Sequence, residues 1–75
     1  MNRWNLYFRR IRSSHELDKR EVQECCRLGG LEITVSRAEG WSRTDARRST
    51  VMTEAEFDAF TQGLVQWAGR SREET

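Results

Sequence analysis

The chain has 75 residues, a formal net charge of +1 and no proline. This length allows one domain with one modest core, so we predict a single helical domain over residues 1–70 and a polar tail over 71–75. No apolar run approaches the roughly 18 residues that a membrane-spanning helix requires, and the N-terminus lacks the apolar centre of a signal peptide. These features predict a cytoplasmic protein with no membrane partner.

The first predicted helix carries apolar residues on one side and arginines on the other. Asn2 is its candidate N-cap. The apolar stripe, at helical spacing, comprises Trp4, Tyr7, Phe8 and Ile11. The opposite side comprises Arg9, Arg10 and Arg12. Because Arg binds phosphate in a bidentate manner, this side is a candidate clamp on a nucleic-acid backbone.

A second helix is predicted from Asp18 to about Leu28. Asp18 is followed three residues later by Glu21, which is the arrangement of a capping box. Gly29 is predicted to end this helix as a left-handed C-terminal residue.

The stretch LEITV at residues 31–35 allows two interpretations. Its apolar and polar residues alternate, as in a short strand; such a strand needs a second chain as its partner and would form a β-ribbon that reads DNA. The other interpretation places its first residues in an inter-helix turn and begins a third helix at Thr34 or Ser36, with Ser36 and Glu39 as a possible capping box. We favour the helix because LEITV is the only strand-like run.

The third helix, if it forms, has the composition of a DNA recognition helix. Val35, Ala38 and Trp41 then face the core at three-residue spacing. The outward side holds Ser36, Arg37, Gly40 and Arg43. Small residues permit close approach to DNA, and Arg reads guanine in the major groove. The predicted DNA-binding residues are Thr34, Ser36, Arg37, Gly40, Arg43, Thr44, Arg47 and Arg48. Alternatively, these are ordinary solvated arginines with Glu39 and Asp45 as partners.

The last predicted helix runs from Thr53 to about Ala68. Thr53 and Glu56 form a second capping box, and Gly69 is the predicted stop. Gly63 inside the helix disfavours it by about 1 kcal/mol relative to Ala, which indicates a close neighbour. The apolar face comprises Phe57, Phe60, Leu64 and Trp67.

Residue types that carry catalysis or bind metals are sparse. Cys25 and Cys26 are adjacent, which disfavours a fold-spanning disulfide between them and does not match metal-ligand spacing. They are best interpreted as small core side chains of a reduced protein. His15 lies in a polar linker without an evident orienting partner. We therefore predict no enzymatic activity, no catalytic residue, no metal, no cofactor and no small-molecule substrate.

The order of elements resembles a helix-turn-helix. A capped helix is followed by a glycine turn and a short helix with an inward Trp41, and VSRA at residues 35–38 looks like the start of a recognition helix. The turn from Gly29 to Ile33 is longer than the usual three or four residues. The predicted fold is all-α, with four short helices and a helix-turn-helix in the middle.

From Asn5 to Trp67 the chain also resembles one repeat unit of the YehS-like family of small bacterial helical proteins. The shared features are Arg9-Arg10-Ile11-Arg12, Leu28-Gly29-Gly30, Glu32-Ile33-Thr34, Trp41, Phe60 and Gly63-Leu64. That family carries two such units and has no established function. The resemblance implies an all-helical fold and, for a single unit, a homodimer.

In size and motif order the chain resembles small dimeric autorepressors encoded beside anti-CRISPR genes. This resemblance implies that the last helix is the dimer seam, through Phe57, Phe60, Leu64 and Trp67. Two recognition helices would then face successive major grooves of an inverted repeat. We predict a sequence-specific transcriptional repressor of phage or mobile-element type that acts as a homodimer on double-stranded DNA.

The alternative prediction is a small protein-interaction module or inhibitor that binds a larger protein. Trp and Arg are also favoured at the energetic centres of protein interfaces. The two functions require different surfaces. DNA binding requires Arg37 and Arg43 on one exposed face with Arg47 or Arg48 nearby, whereas an interaction module requires an exposed apolar patch.

Overall fold

The computed structural model describes residues 3–45 and 47–73, with side chains as far as residue 69. It contains helices α1 (Arg3–Ser14), α2 (Lys19–Leu28), α3 (Val35–Ser42) and α4 (Glu54–Glu73). No strand occurs among these residues. The predicted all-α fold is confirmed, and the candidate cap Asn2 lies outside the described residues.

Both predicted capping boxes are present. The Asp18 carboxylate accepts hydrogen bonds from the backbone N–H groups of Arg20 and Glu21 at 2.9 and 2.8 Å, and Glu21 accepts one from the Asp18 N–H at 2.9 Å. At the start of α4, Thr53 and Glu56 exchange the same pair of bonds at 2.9 and 3.1 Å. Each box satisfies N–H groups that have no partner within the helix.

α2 ends at Leu28 as predicted, but its left-handed C-terminal residue lies one position later than predicted. Gly30, with φ +88°, is the left-handed residue, whereas Gly29 has φ −85°. The N–H of Gly30 bonds to Arg27 O at 3.0 Å and that of Leu31 to Cys26 O at 2.9 Å, which is a Schellman motif. Gly29 is required for a different reason: a Cβ there would lie 1.8 Å from the Ala59 carbonyl oxygen.

The strand interpretation of residues 31–35 is wrong, and these residues form the turn and the start of α3. Thr34 is the N-cap, and its hydroxyl accepts a hydrogen bond from the Arg37 N–H at 3.1 Å. The possible box at Ser36 and Glu39 is not used because Ser36 already lies inside the helix. This local cap favours the helix without any strand partner.

The predicted end of α4 is also wrong, because the helix continues through Gly69 to Glu73 and includes three residues of the predicted tail. One glycine disfavours a helix by only about 1 kcal/mol, and a Cβ at Gly69 would meet nothing within 4 Å. Gly69 is therefore neither a stop nor a packing contact.

The core lies where α1, α3 and the α2–α4 pair meet. Cys25 and Cys26 are fully buried free thiols, as predicted for core side chains. Burial raises the pKa of Cys25 to about 11 and that of Cys26 to about 12, so both remain protonated and unreactive near neutrality. The buried apolar residues are Phe8, Leu17, Val22, Cys25, Cys26, Ala38, Trp41, Met52, Phe60 and Leu64.

Candidate nucleic-acid interface

The inner side of α3 is anchored in the core. Ala38 and Trp41 are fully buried, as predicted, and Val35 is half-buried. The Trp41 ring meets Phe8 of α1 edge-to-face, with centroids 5.3 Å apart. Such pairs contribute about 0.5–1.5 kcal/mol beyond area burial. They hold α3, and hence its outer side, in one orientation.

The outer side of α3 forms one wall of a groove that we call the basic groove. It is about 460 Å³ in volume and is lined by Lys19, Val35, Ser36, Glu39, Arg43 and Arg48. Lys19 comes from the start of α2, Ser36 and Glu39 from α3, and Arg43 and Arg48 from the segment that follows. The fold thus brings Lys19 together with Arg43 and Arg48, which lie more than twenty residues later in the sequence.

Among the described residues, Glu39 is the one carboxylate that lines the basic groove. Its Oε1 accepts a hydrogen bond from Arg12 Nη2 at 2.8 Å, and Arg12 also donates to Ser42 Oγ at 2.7 Å. The bond from Arg12 lowers the pKa of Glu39, against the opposing effect of burial, and the charges of Lys19 and Arg43 lower it further. Because Arg12 balances this carboxylate, the groove keeps a positive surface.

Arg37 points towards α4 instead of the basic groove. Its Nε donates to Glu56 Oε2 at 2.6 Å, and its side chain is 40 % exposed. Glu56 is therefore its acidic partner, not Glu39 or Asp45. Burial by itself would raise the pKa of Glu56, but hydrogen bonds from Arg37 and Thr53 outweigh it, and the pKa is lowered. Arg37 holds α3 to α4.

The prediction that Gly40 faces outward is wrong. Gly40 is buried, and a Cβ there would lie 2.3 Å from the Thr50 hydroxyl oxygen. The carbonyl of Gly40 accepts a hydrogen bond from the Thr50 N–H at 2.9 Å. The segment between α3 and α4 crosses the helix at this glycine, which is why a side chain is excluded.

Asn5, which the sequence analysis did not identify as important, positions the segment between α3 and α4. Its amide nitrogen donates to the carbonyls of Trp41 and Thr50 at 3.0 and 2.9 Å, and its oxygen accepts from the Met52 N–H at 2.9 Å. Asn5 is only 6 % exposed. A signal was present in the sequence, since Asn5 lies three residues before Phe8 on the side of α1 that faces the core.

The other predicted DNA-binding residues lie at the surface. Thr34 is exposed, but its hydroxyl is engaged in capping α3. Thr44, Arg47 and Arg48 are exposed in the segment after α3, where Asp45 accepts a hydrogen bond from the Arg47 N–H at 3.0 Å. Arg43 and Arg48 therefore share one surface with Ser36, while Arg37 lies beside it.

The predicted dimer residues divide into two groups. Phe60 is fully buried and Leu64 is 8 % exposed within one chain, so both belong to the protomer's own core. Phe57 and Trp67 are half-buried and reach the surface. Phe57 also joins Trp4 and Tyr7 in a partly exposed cluster that we call the aromatic surface.

Comparisons of this chain with protein-family models, curated proteins and solved structures found no match. The resemblances to YehS-like proteins and to anti-CRISPR-associated autorepressors therefore stay predictions. Within residues 3–45 and 47–73, no helix has the length and apolar character needed to cross a membrane, and no group of three metal-ligating side chains is found.

Proposed function

We propose that this protein binds double-stranded DNA through the basic groove and acts as a transcriptional repressor. The observation that carries the proposal is the convergence of Lys19, Arg43 and Arg48 beside Ser36 on the outer side of α3. Lys and Arg side chains that converge on one surface bind DNA phosphates and fix the position of a protein on the duplex.

The dimensions of α3 suit entry into the major groove. An α-helix with its side chains is about 10–12 Å in diameter, which fits the width of about 12 Å of the major groove of B-DNA. The small side chain of Ser36 at the start of α3 permits close approach of the backbone to base edges. Arg43 at the end of α3 reads a base, and Lys19 and Arg48 bind phosphates.

Arg37 has a lesser role in this proposal than the sequence pattern predicted. Its Nε is bonded to Glu56, and that carboxylate offsets its charge. Removing Arg37 should therefore weaken DNA binding less than removing Arg43. Repression would be steric, through a homodimer that occupies an inverted repeat and blocks polymerase.

The test is fluorescence anisotropy with duplexes tiled across the region upstream of the coding sequence, at two salt concentrations. We expect tight binding to one duplex that weakens with salt. Arg43→Ala should reduce the binding free energy for that duplex by roughly 1–3 kcal/mol and relax the sequence preference. Arg48→Ala should weaken binding to all duplexes alike and reduce the slope of log K against log salt concentration by about 1.

Arg27→Ala is the matched control, because it removes one positive charge from the far end of α2, where Arg27 pairs with Glu24. This variant should bind like the wild type. Equal losses of DNA affinity in Arg27→Ala and Arg43→Ala would mean that binding depends only on the net charge of the protein. Weak binding to every duplex, unchanged by Arg43→Ala, would contradict the proposal and favour the alternative of a protein-interaction module.

A further inference from the structure

The aromatic surface leaves apolar area uncovered on α1 and α4. The Trp4 and Phe57 ring centroids are 5.2 Å apart, and Tyr7 lies 6.2 Å from Trp4 and 6.3 Å from Phe57. Tyr7 is 39 % exposed, and the other two rings are half-buried. The three rings thus form one continuous cluster at the edge of the fold.

Charged residues of both signs border the aromatic surface. On one side, a groove of about 760 Å³ is lined by Trp4, Glu54, Ala55, Phe57, Asp58 and Thr61. The side chains of Glu54 and Asp58 are exposed there. The Arg3 guanidinium also borders the aromatic surface, because it lies over the Trp4 ring at 4.7 Å. In the described part of the chain, Arg3 forms no ion pair within 4 Å with Glu54 or Asp58.

We infer that the aromatic surface is where a second copy of this chain docks, with Arg3 of each copy entering the groove of the other. A two-fold axis brings each surface against itself, so a patch with an apolar centre and a border that carries both a cation and carboxylates can be complementary to itself. Aromatic rings and carboxylates are together the groups that bind a guanidinium.

The area that a dimer needs explains why the charged border belongs to the interface. A stable interface buries about 800 Å² per partner, which is about a sixth of the 5141 Å² that this chain exposes. Three partly buried rings supply less than this, since a whole aromatic side chain buries about 150–250 Å². Arg3 and the groove must therefore be covered as well.

This inference gives the homodimer of the proposed function a surface that does not use the core residues Phe60 and Leu64. It rests on the proposed function only in that respect, and its test contains no DNA. The two failures are distinguishable: a wild type that stays monomeric in sedimentation contradicts this inference, whereas weak binding to every duplex, unchanged by Arg43→Ala, contradicts DNA binding.

The test is sedimentation equilibrium of the full chain and two charge-reversal variants, Arg3→Glu and Glu54→Arg/Asp58→Arg. We expect the wild type to form a dimer with a dissociation constant below about 1 mM. Each variant alone places like charges in both symmetric contacts, which should raise the dissociation constant roughly a hundredfold or more. An equimolar mixture of the two variants pairs opposite charges again, so heterodimers should form about as tightly as wild-type dimers.

Arg20→Glu and Glu32→Arg are the controls, since both are exposed residues outside this surface, and both should dimerise like the wild type. Circular dichroism would verify that every variant is folded. A wild type that remains monomeric, variants that dimerise like the wild type, or a mixture that stays monomeric would each overturn the inference.

Discussion

Asn5 shows how one polar side chain can connect distant parts of this small fold. It satisfies three backbone groups, those of Trp41, Thr50 and Met52, at the place where the chain leaves α3 and approaches α4. The bonds to Trp41 and Met52 are buried and the one to Thr50 is partly buried, so water cannot easily replace Asn5. A buried polar group without a partner costs about 1–3 kcal/mol.

We predict that Asn5→Leu lowers the free energy of unfolding by roughly 3 kcal/mol, because it keeps the side-chain size but leaves those backbone groups unpaired. Urea unfolding would measure this. Gln23→Leu is the comparison, because the half-buried Gln23 side chain donates one hydrogen bond, to Ile33 O at 2.9 Å. This variant should lower the free energy of unfolding by about 1 kcal/mol. Equal losses in the two variants would contradict the role assigned to Asn5.

Among the elements, α2 and α4 form the tightest contact, and two glycines make it possible. A Cβ on Gly63 would lie 1.5 Å from the Cys25 carbonyl oxygen, and one on Gly29 would lie 1.8 Å from that of Ala59. These neighbours are backbone atoms, which cannot turn away as a flexible side chain can. The backbones of the two helices therefore touch at two points.

Gly63→Ala should force α2 and α4 apart and lower stability by roughly 3 kcal/mol, although alanine is the better helix former. Gly69→Ala is the matched control in the same helix, because its added methyl group would meet nothing within 4 Å; it should raise stability by up to about 1 kcal/mol. Thermal unfolding would show opposite shifts of Tm. A rise of Tm in both variants would mean that α2 and α4 can move apart enough to accommodate the added methyl group without loss of stability.

For the whole molecule, two ion pairs make folding sensitive to acid. Glu39 pairs with Arg12, and Glu56 pairs with Arg37. Both carboxyl pKa values lie below their ordinary value of 4.5 in the fold. Their stabilisation is therefore present above pH 4.5 and is lost as the pH falls through the folded pKa values.

We predict that Glu39→Gln/Glu56→Gln is less stable than the wild type at about pH 6 but loses less stability between about pH 6 and pH 3. Gln preserves the capping box of α4, so the helix start is not disturbed. Urea midpoints at the two pH values would measure both effects. Glu32→Gln, at an exposed position, should follow the wild type, and an unchanged acid response in the double variant would contradict the assignment.

The sequence by itself determined the features that depend on neighbours a few residues away. The starts of α2 and α4 follow from two capping boxes, and the Gly-Gly turn follows from a single left-handed residue. The apolar stripes predicted the core in part, since Phe8, Phe60 and Leu64 are buried but Tyr7 is exposed, and Gly63 predicted a close contact. The end of α4 was mispredicted because the penalty of one glycine is too small to stop a helix.

Only the tertiary structure decided which residues of the candidate interface face outward. Gly40 is covered by Thr50, Arg37 bonds to Glu56, and Asn5 binds Met52 from 47 positions away in the chain. Helical periodicity separates an inner from an outer side, but it carries no information about which distant segment crosses the outer side. Those contacts form only when the chain has folded back on itself, which is also why the basic groove is assembled from α2, α3 and the segment after α3.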